Sequence, residues 1–196
     1  MIEYIKGEIE ELSPTQMVME CNGIGYELNI SITTYSAFNK HKQGKIYVYE
    51  VIREDAHLLF GFATREEREL FLLLISVSGV GPNTARMILS SLPPDELINA
   101  IASGDDVSLT SVKGIGSKTA QRIVVDLRNK VRTAENIGEK NKSVPGGRSD
   151  TAEGAIAALI MLGFQKAASQ KAVDSILKKS PSESVEQVIK DALKML

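Results

Sequence analysis

The 196-residue sequence contains a single cysteine, Cys21. That excludes an internal disulfide framework and leaves too few thiols for a cysteine-based zinc site. Histidine is nearly as scarce, with only His41 and His57, and no cluster has metal-ligand spacing. No metal and no cofactor are expected, and machinery for acid–base catalysis is thin. No apolar run is long enough to span a bilayer. No secretory leader is expected, because Glu3 and Lys6 interrupt the first residues, so the expected location is the cytoplasm, with no membrane partner. An excess of positive charge is also missing: 23 Lys and Arg stand against 25 Asp and Glu, a formal charge of −2. Taken whole, that balance argues against a protein that simply coats nucleic acid, because neutralising phosphates takes Lys and Arg in excess.

What is present is 43% hydrophobic and 24% charged residues, the composition of a soluble globular protein with room for one to three small domains. Residues 1–63 read as β. Strand-like runs at 2–12, 17–20 and 24–30 are separated by Ser13-Pro14-Thr15 and by Asn22-Gly23, a strong tight-hairpin signal. Residues 45–52 and 57–62 make a further pair across Arg53-Glu54-Asp55-Ala56, with 32–38 as an irregular or helical insert. Short strands at this spacing predict a small barrel. Residues 64–135 change to helical spacing, opened by Thr64 as N-cap with Glu66, Glu67 and Glu69 following. Residues 136–150, with Pro145, three glycines and few apolar anchors, read as a flexible linker. Residues 151–196 predict three short helices, with Gly163 as a C-cap. The fold class is α+β, in several domains.

An internal repeat carries the chemistry. Residues 74–88 and 109–123 are copies offset by 35, with eight identities in 15 positions. Each copy reads helix, Gly-hydrophobic-Gly, helix. The glycines permit a hairpin that other residues follow poorly, Val80 or Ile115 plugs the gap between the helices, and Ala85 or Ala120 lets them approach. Pro82 suits a first helical turn and Ser117 can cap one. The product is a cluster of backbone N–H groups at a helix N-terminus, which suits a nucleic-acid phosphate without reading a base. Gly79, Val80, Gly81, Asn83, Thr84 and Arg86 are the candidate DNA contacts of the first copy; Lys113, Gly114, Ile115, Gly116, Ser117, Lys118, Thr119 and Arg122 are those of the second. Other glycine-rich readings fail on spacing: a P-loop needs Gly-Lys-Ser/Thr, whereas Gly116 is followed by Ser117 and Lys118, and a dinucleotide fingerprint needs a preceding strand.

Local charge agrees. Residues 113–133 carry a net +5, while 1–63 and 64–112 carry −4 each. Lys118 and Arg122 share one helix face. The first copy is poorer, with Asn83 where the second has Lys118. A different class of function, a repair glycosylase or nuclease that holds DNA by its hairpins, has Asp126 as candidate base; its neighbours Arg122 and Lys130 instead suit a structural ion pair.

The run from Val51 to Phe62 (Val-Ile-Arg-Glu-Asp-Ala-His-Leu-Leu-Phe-Gly-Phe), with Ser78-Gly79-Val80-Gly81-Pro82 and the run from Val112 to Ala120, resembles the RuvA family, the Holliday-junction recognition subunits of the bacterial branch-migration machinery. The order of parts matches nearly end to end. The resemblance implies an oligonucleotide-binding (OB-fold) barrel, two helix-hairpin-helix motifs and a UBA-like three-helix bundle. It also implies a homotetramer, with an octamer as a further assembly, and a basic concave face that holds a four-way junction DNA open. Glu54 and Asp55 would form an acidic pin that repels phosphates at the crossover; without the resemblance they are a polar hairpin turn. The partners implied are the RuvB hexameric ATPase, bound by residues 151–196, and RuvC resolvase. Leu159, Leu162, Gly163 and Phe164 are the candidate motor contacts, with Leu159 better suited to core packing and Phe164 to contact. The family's function is not itself catalytic. The sequence departs from its relatives at Asn83, a position that is commonly basic, so the first hairpin relies more on its amides.

Overall fold

Alternation of apolar and polar residues builds the first domain. The computed structural model describes residues 1–140, 148–180 and 183–196, which divide into two compact units, Met1–Gly138 and Glu139–Leu196. Strands β1 (Tyr4–Leu12), β2 (Gln16–Cys21), β3 (Ile24–Ile30), β4 (Gln43–Ile52) and β5 (His57–Phe62) close in the order β1-β2-β3-β5-β4. Only β3 and β5 pair in parallel, Leu28 opposite Leu59 and Ile30 opposite Gly61. Inward residues Ile5, Met17, Met19, Leu28, Ile30, Ile46 and Val48 fill the barrel. Asn22 and Gly23 turn the β2–β3 hairpin with φ of 52° and 80°, the primed geometry that the right-handed twist of a hairpin favours. At Gly61 an added Cβ would lie 2.6 Å from Ile46 Cδ1, so no larger side chain enters the core there without a shift. The insert between β3 and β4 is a helix, α1 (Ile32–Phe38), capped by Ser31.

The helices of the same unit pack on the outside of this barrel. Helix α2 (Arg65–Ile75) lays Phe71 against Tyr49, Phe60 and Phe62, with ring centroids 4.8–5.4 Å apart. Phe71 is wholly buried, and its truncation to Ala is expected to cost about 3–5 kcal/mol. Beside it, Glu67 is buried too. It accepts hydrogen bonds from Ser31 Oγ, from Thr34 Oγ1 at 2.7 Å and from the Ala63 amide at 3.2 Å. Its own amide donates to Thr64 Oγ1 at 3.1 Å, which confirms the expected cap. Burial raises the carboxyl's pKa above the ordinary value, while the three donors act in the opposite sense. Helix α3 (Pro82–Ser91) is tied to the barrel as well: Thr33 Oγ1 donates to Leu89 O at 2.9 Å, and Arg86 Nη1 to Thr15 O at 2.9 Å.

Helices α4 (Pro94–Ser103), α5 (Asp106–Thr110) and α6 (Ser117–Lys140) complete the unit's helical part. Their apolar faces join those of α2 and α3 in one cluster that reaches from Phe60 to Val131. Helix α6 continues four residues past Asn136, the first position of the expected linker. Ala134, Glu135, Glu139 and Lys140 are good helix formers and no proline intervenes before Pro145. At the other end of that stretch, α7 (Arg148–Met161) is already helical from Arg148. Positions 141–147 of the expected linker lie outside the described residues.

In the second unit α7, α8 (Lys166–Lys179) and α9 (Val185–Leu193) pack around Ala155, Leu159, Val173, Ile176 and Val188. Among the described residues no helix is long and apolar enough to cross a membrane.

Candidate nucleic-acid interface

The two sequence repeats are also structural repeats. The bond Val77 N–H to Leu74 O recurs as Val112 to Leu109, Val80 to Val77 as Ile115 to Val112, and Ala85 to Gly81 as Ala120 to Gly116. Val80 and Ile115 plug their hairpins at 6% exposure each, and Ala85 and Ala120 are wholly buried where the helices meet. Gly79 and Gly114 have φ of 92° and 91°, a conformation that costs an L residue about 1–2 kcal/mol. The first glycine of each pair is therefore required by the turn.

The second glycine is not. Gly81 has φ −88° and ψ 169°, which any residue adopts. At both Gly81 and Gly116 an added Cβ would meet nothing within 4 Å. Neither turn geometry nor internal packing calls for a bare backbone there, so the space is open to something outside the chain. Gly81 is the N-cap of α3 and supplies no side-chain cap bond. Gly116 O accepts from the Ala120 amide and α6 starts at Ser117. Ser117, read from sequence as a cap, is therefore the first residue of the helix, and a side chain without an acceptor precedes it. The amides of Gly81 and Asn83, and those of Gly116, Ser117 and Lys118, donate to no group among the described residues. Two helix N-termini thus offer unsatisfied N–H donors beside bare backbone, an arrangement that suits an anion.

The cations expected around the hairpins divide into groups. Lys113 and Lys118 are exposed beside the second hairpin, at the positions corresponding to Ser78 and Asn83 in the first, which are also exposed. Arg122 is exposed, and its Nη1 donates to Ser78 O at 3.1 Å, across from the second motif to the loop of the first. Ser78 was not among the expected site residues; the offset of 35 that aligns it with Lys113 was the available signal. Arg86 is placed elsewhere: it is half-buried on Thr15 O, and burial lowers its pKa. Arg128 Nε donates to Ala102 O at 3.1 Å. Thr84 and Thr119 are partly buried beside Ala85 and Ala120. Asp126 is exposed and forms no ion pair with Arg122 or Lys130. The expected ion pair fails because the Arg122 side chain is drawn to Ser78.

Glu54 and Asp55 stand exposed at the tip of the β4–β5 hairpin, which the Arg53 amide closes by donating to Ala56 O at 2.8 Å. In the second unit Leu159 is core. Phe164 is partly buried against the same core, contrary to the expectation that it stands out to a partner. The cause is a Schellman cap: Gly163 has φ 98°, Phe164 N–H donates to Leu159 O and Gly163 N–H to Ile160 O, which turns the following residue back onto the helix. At this helix end the exposed apolar side chains are Leu162 at 59%, its neighbour Met161 at 90% and Ile160 at 41%, and the C-terminal Leu193, Met195 and Leu196 are exposed as well. Met161 was missed because α7 is apolar nearly all round, so periodicity gives no inward face.

Comparison with known proteins divides the chain similarly. Residues 1–61 match the family model for the RuvA N terminal domain, residues 71–129 that for the SAM-like helix-hairpin-helix tandem, and residues 150–196 that for the RuvA, C-terminal domain. The chain is 68% identical over 196 residues to the Holliday junction branch migration complex subunit RuvA of Parabacteroides distasonis. It is 57% identical over 201 residues to the protein so named in Bacteroides fragilis and 52% over 202 residues to that of Porphyromonas gingivalis. Each match covers 100% of both chains. Barrel, paired hairpins and terminal bundle therefore occur here in the order of those relatives and over their whole length, and the chain belongs to the RuvA family.

Proposed function

We propose that this chain binds four-way (Holliday) DNA junctions by their phosphates and joins a branch-migration complex, without catalysis of its own. The observation that carries this reading is the pair of hairpins whose second glycine leaves open space around unsatisfied amides. Main-chain donors grip phosphate oxygens and carry no base preference. The net +5 of residues 113–133, set against −4 in each preceding segment, suits a protein that selects a shape over one that coats any duplex. Four copies would bring Glu54 and Asp55 together near a symmetry axis and repel the crossover phosphates. The RuvB hexameric ATPase is the partner assigned to the second unit, through Leu162 and Met161 more than through Leu159 or Phe164. RuvC is a further partner, and a homotetramer the working assembly, with an octamer as its doubled form.

The test is a gel shift of the purified chain on a four-way junction, linear duplex and single strand of equal length. Binding no tighter to the junction than to duplex overturns the proposal. Deletion of residues 151–196 should spare junction binding and abolish stimulation of the motor; retained stimulation moves the partner site elsewhere. The reading as a repair glycosylase or nuclease is not favoured, since the exposed Asp126 lacks the partners that orient a catalytic base. Strand cleavage or base release lost in Asp126→Asn would restore it.

A further inference from the structure

The outer face of β1 and β4 holds a patch outside the hairpins. Antiparallel pairing sets Tyr4 opposite Tyr47 and, two residues along the same face, Lys6 opposite Lys45. Two like charges directly opposite on one face work against the sheet, and the next pair on that face, Glu8 with Gln43, leaves one lysine without an opposite charge across the strands. Lys45 Nζ instead lies over the Tyr4 ring at 4.2 Å and the Tyr47 ring at 4.6 Å. Arg65 and Arg68 of α2 also lie near the Tyr47 ring, at 5.8 and 5.7 Å from its centroid. The carboxylate of Glu3 is engaged by both arginines, at 3.6 Å from Arg65 and 2.7 Å from Arg68. Tyr4 remains 51% exposed. Lys6 and Lys45 also border a groove of about 700 Å³, whose other lining includes Asn22 and Gln43 and the carboxylates Glu8 and Glu20.

An exposed aromatic ring interleaved with several cations is the arrangement that binds single-stranded nucleic acid, the ring stacking a base and the cations tracking the backbone. Here the ammonium over Tyr4 has somewhere to go: a base that takes its place on the ring brings a phosphate for it to meet. We propose that this face is a second DNA site, separate from the hairpins, which takes an unpaired strand. Tyr4 stacks a base, and Lys6, Lys45 and Arg65 hold the adjoining phosphates. A duplex does not fit, because its bases are already stacked and the Tyr4 ring has no free base face to meet.

The test uses the full chain and an oligo(dT) of about 12 nucleotides, within the span that such barrels cover. Anisotropy gives the affinity. Tyrosine emission gives the stacking, since the chain has five tyrosines and no tryptophan to mask them. Tyr4→Ala should weaken oligo(dT) about fivefold or more and remove quenching, while junction affinity stays within about twofold because the sites are independent. Lys118→Ala should do the reverse. If Tyr4→Ala fails to fold, Lys6→Gln with Lys45→Gln carries the test, and should lower the salt slope for oligo(dT) by about 2. The proposal is overturned if the full chain does not bind oligo(dT), if Lys118→Ala abolishes that binding, or if the patch variants change only the assembled mass, which would make the face a contact between copies. Loss of junction binding in none of the hairpin variants would overturn the hairpin reading instead, whatever the oligo(dT) result.

Discussion

Replacing Gly81 and Gly116 by alanine separates binding from stability. Gly81 has an extended conformation that alanine adopts, and a Cβ at either position meets nothing within 4 Å. Restricting the unfolded chain stabilises by about 0.4–1 kcal/mol. Alanine is a poorer N-cap than glycine, which costs about 0.5–1 kcal/mol. These terms oppose each other, so the unfolding free energy of each variant should change by less than about 1 kcal/mol. On the binding side, each methyl group occupies the space through which a phosphate reaches the amides of Gly81 and Asn83, or of Gly116, Ser117 and Lys118. A hydrogen bond to a charged oxygen is worth about 1.5–3 kcal/mol. Losing one such bond, in either single variant, weakens junction binding about tenfold to a hundredfold. Because no cation is removed, the slope of log affinity against log salt should not change. Denaturant midpoints and anisotropy with a labelled junction across a salt series measure both quantities. Junction binding by the double variant within about twofold of the parent would falsify the phosphate-approach argument. A stability loss above about 2 kcal/mol would show that the glycines serve the fold instead. Gly79→Ala is the control that should behave oppositely, because its φ of 92° makes the substitution itself cost about 1–2 kcal/mol.

Lys118→Ala should lower junction affinity uniformly across sequences and reduce the salt slope by about 1, whereas Arg122→Lys should lower affinity although the positive charge is kept, because the bond from Nη1 to Ser78 O depends on the reach and planar geometry of the guanidinium; amide exchange at Ser78–Gly81, unchanged in the Arg122 variant, would refute the link between hairpins. Glu54→Gln with Asp55→Gln should narrow the junction-to-duplex affinity ratio, and an unaltered ratio leaves the acidic pin without function. Glu67, whose folded pKa is raised by burial, contributes stability that is fully present below its unfolded pKa near 4.5 and is lost as pH rises through the folded value. Denaturation of Glu67→Gln should therefore show less loss of stability than the parent on raising pH from 4.5 upward, and parallel pH curves would disprove it. Glu67→Ala should cost about 2–5 kcal/mol, since two hydroxyl donors, Ser31 and Thr34, are orphaned.

The barrel was legible because a half-buried strand writes its register into the sequence at period two, and Asn22-Gly23 permits few other turns. The hairpins were legible because they occur twice: a single Gly-Val-Gly is ambiguous, but eight identities at one offset are not. What failed depended on contacts distant in sequence. Arg86 lies nearer its hairpin in the chain than Arg122 does to the other, yet α3 turns that face toward Thr15, 71 residues away. Phe164 follows a helix end, but the direction in which a Schellman cap sends the chain decides its burial, and Gly163 alone does not state what lies beneath. The extent of α6 was missed because composition marked 136–150 as polar, and a polar stretch of good helix formers continues a helix that packing has already nucleated.

The open donors of Gly81, Asn83, Gly116, Ser117 and Lys118 belong to the peptide backbone, and of the twenty side chains only proline removes such a donor. Asn83 or Ser117 can be exchanged for almost any side chain while the N–H beneath it stays in place. For the backbone part of the proposed interface the genetic target is thereby reduced to a few codons, chiefly the glycines that shape the two turns or keep their approach clear. Contacts made through arginine and lysine side chains, as proposed for Lys118, are exposed to drift at each position; those made through the backbone are exposed at very few.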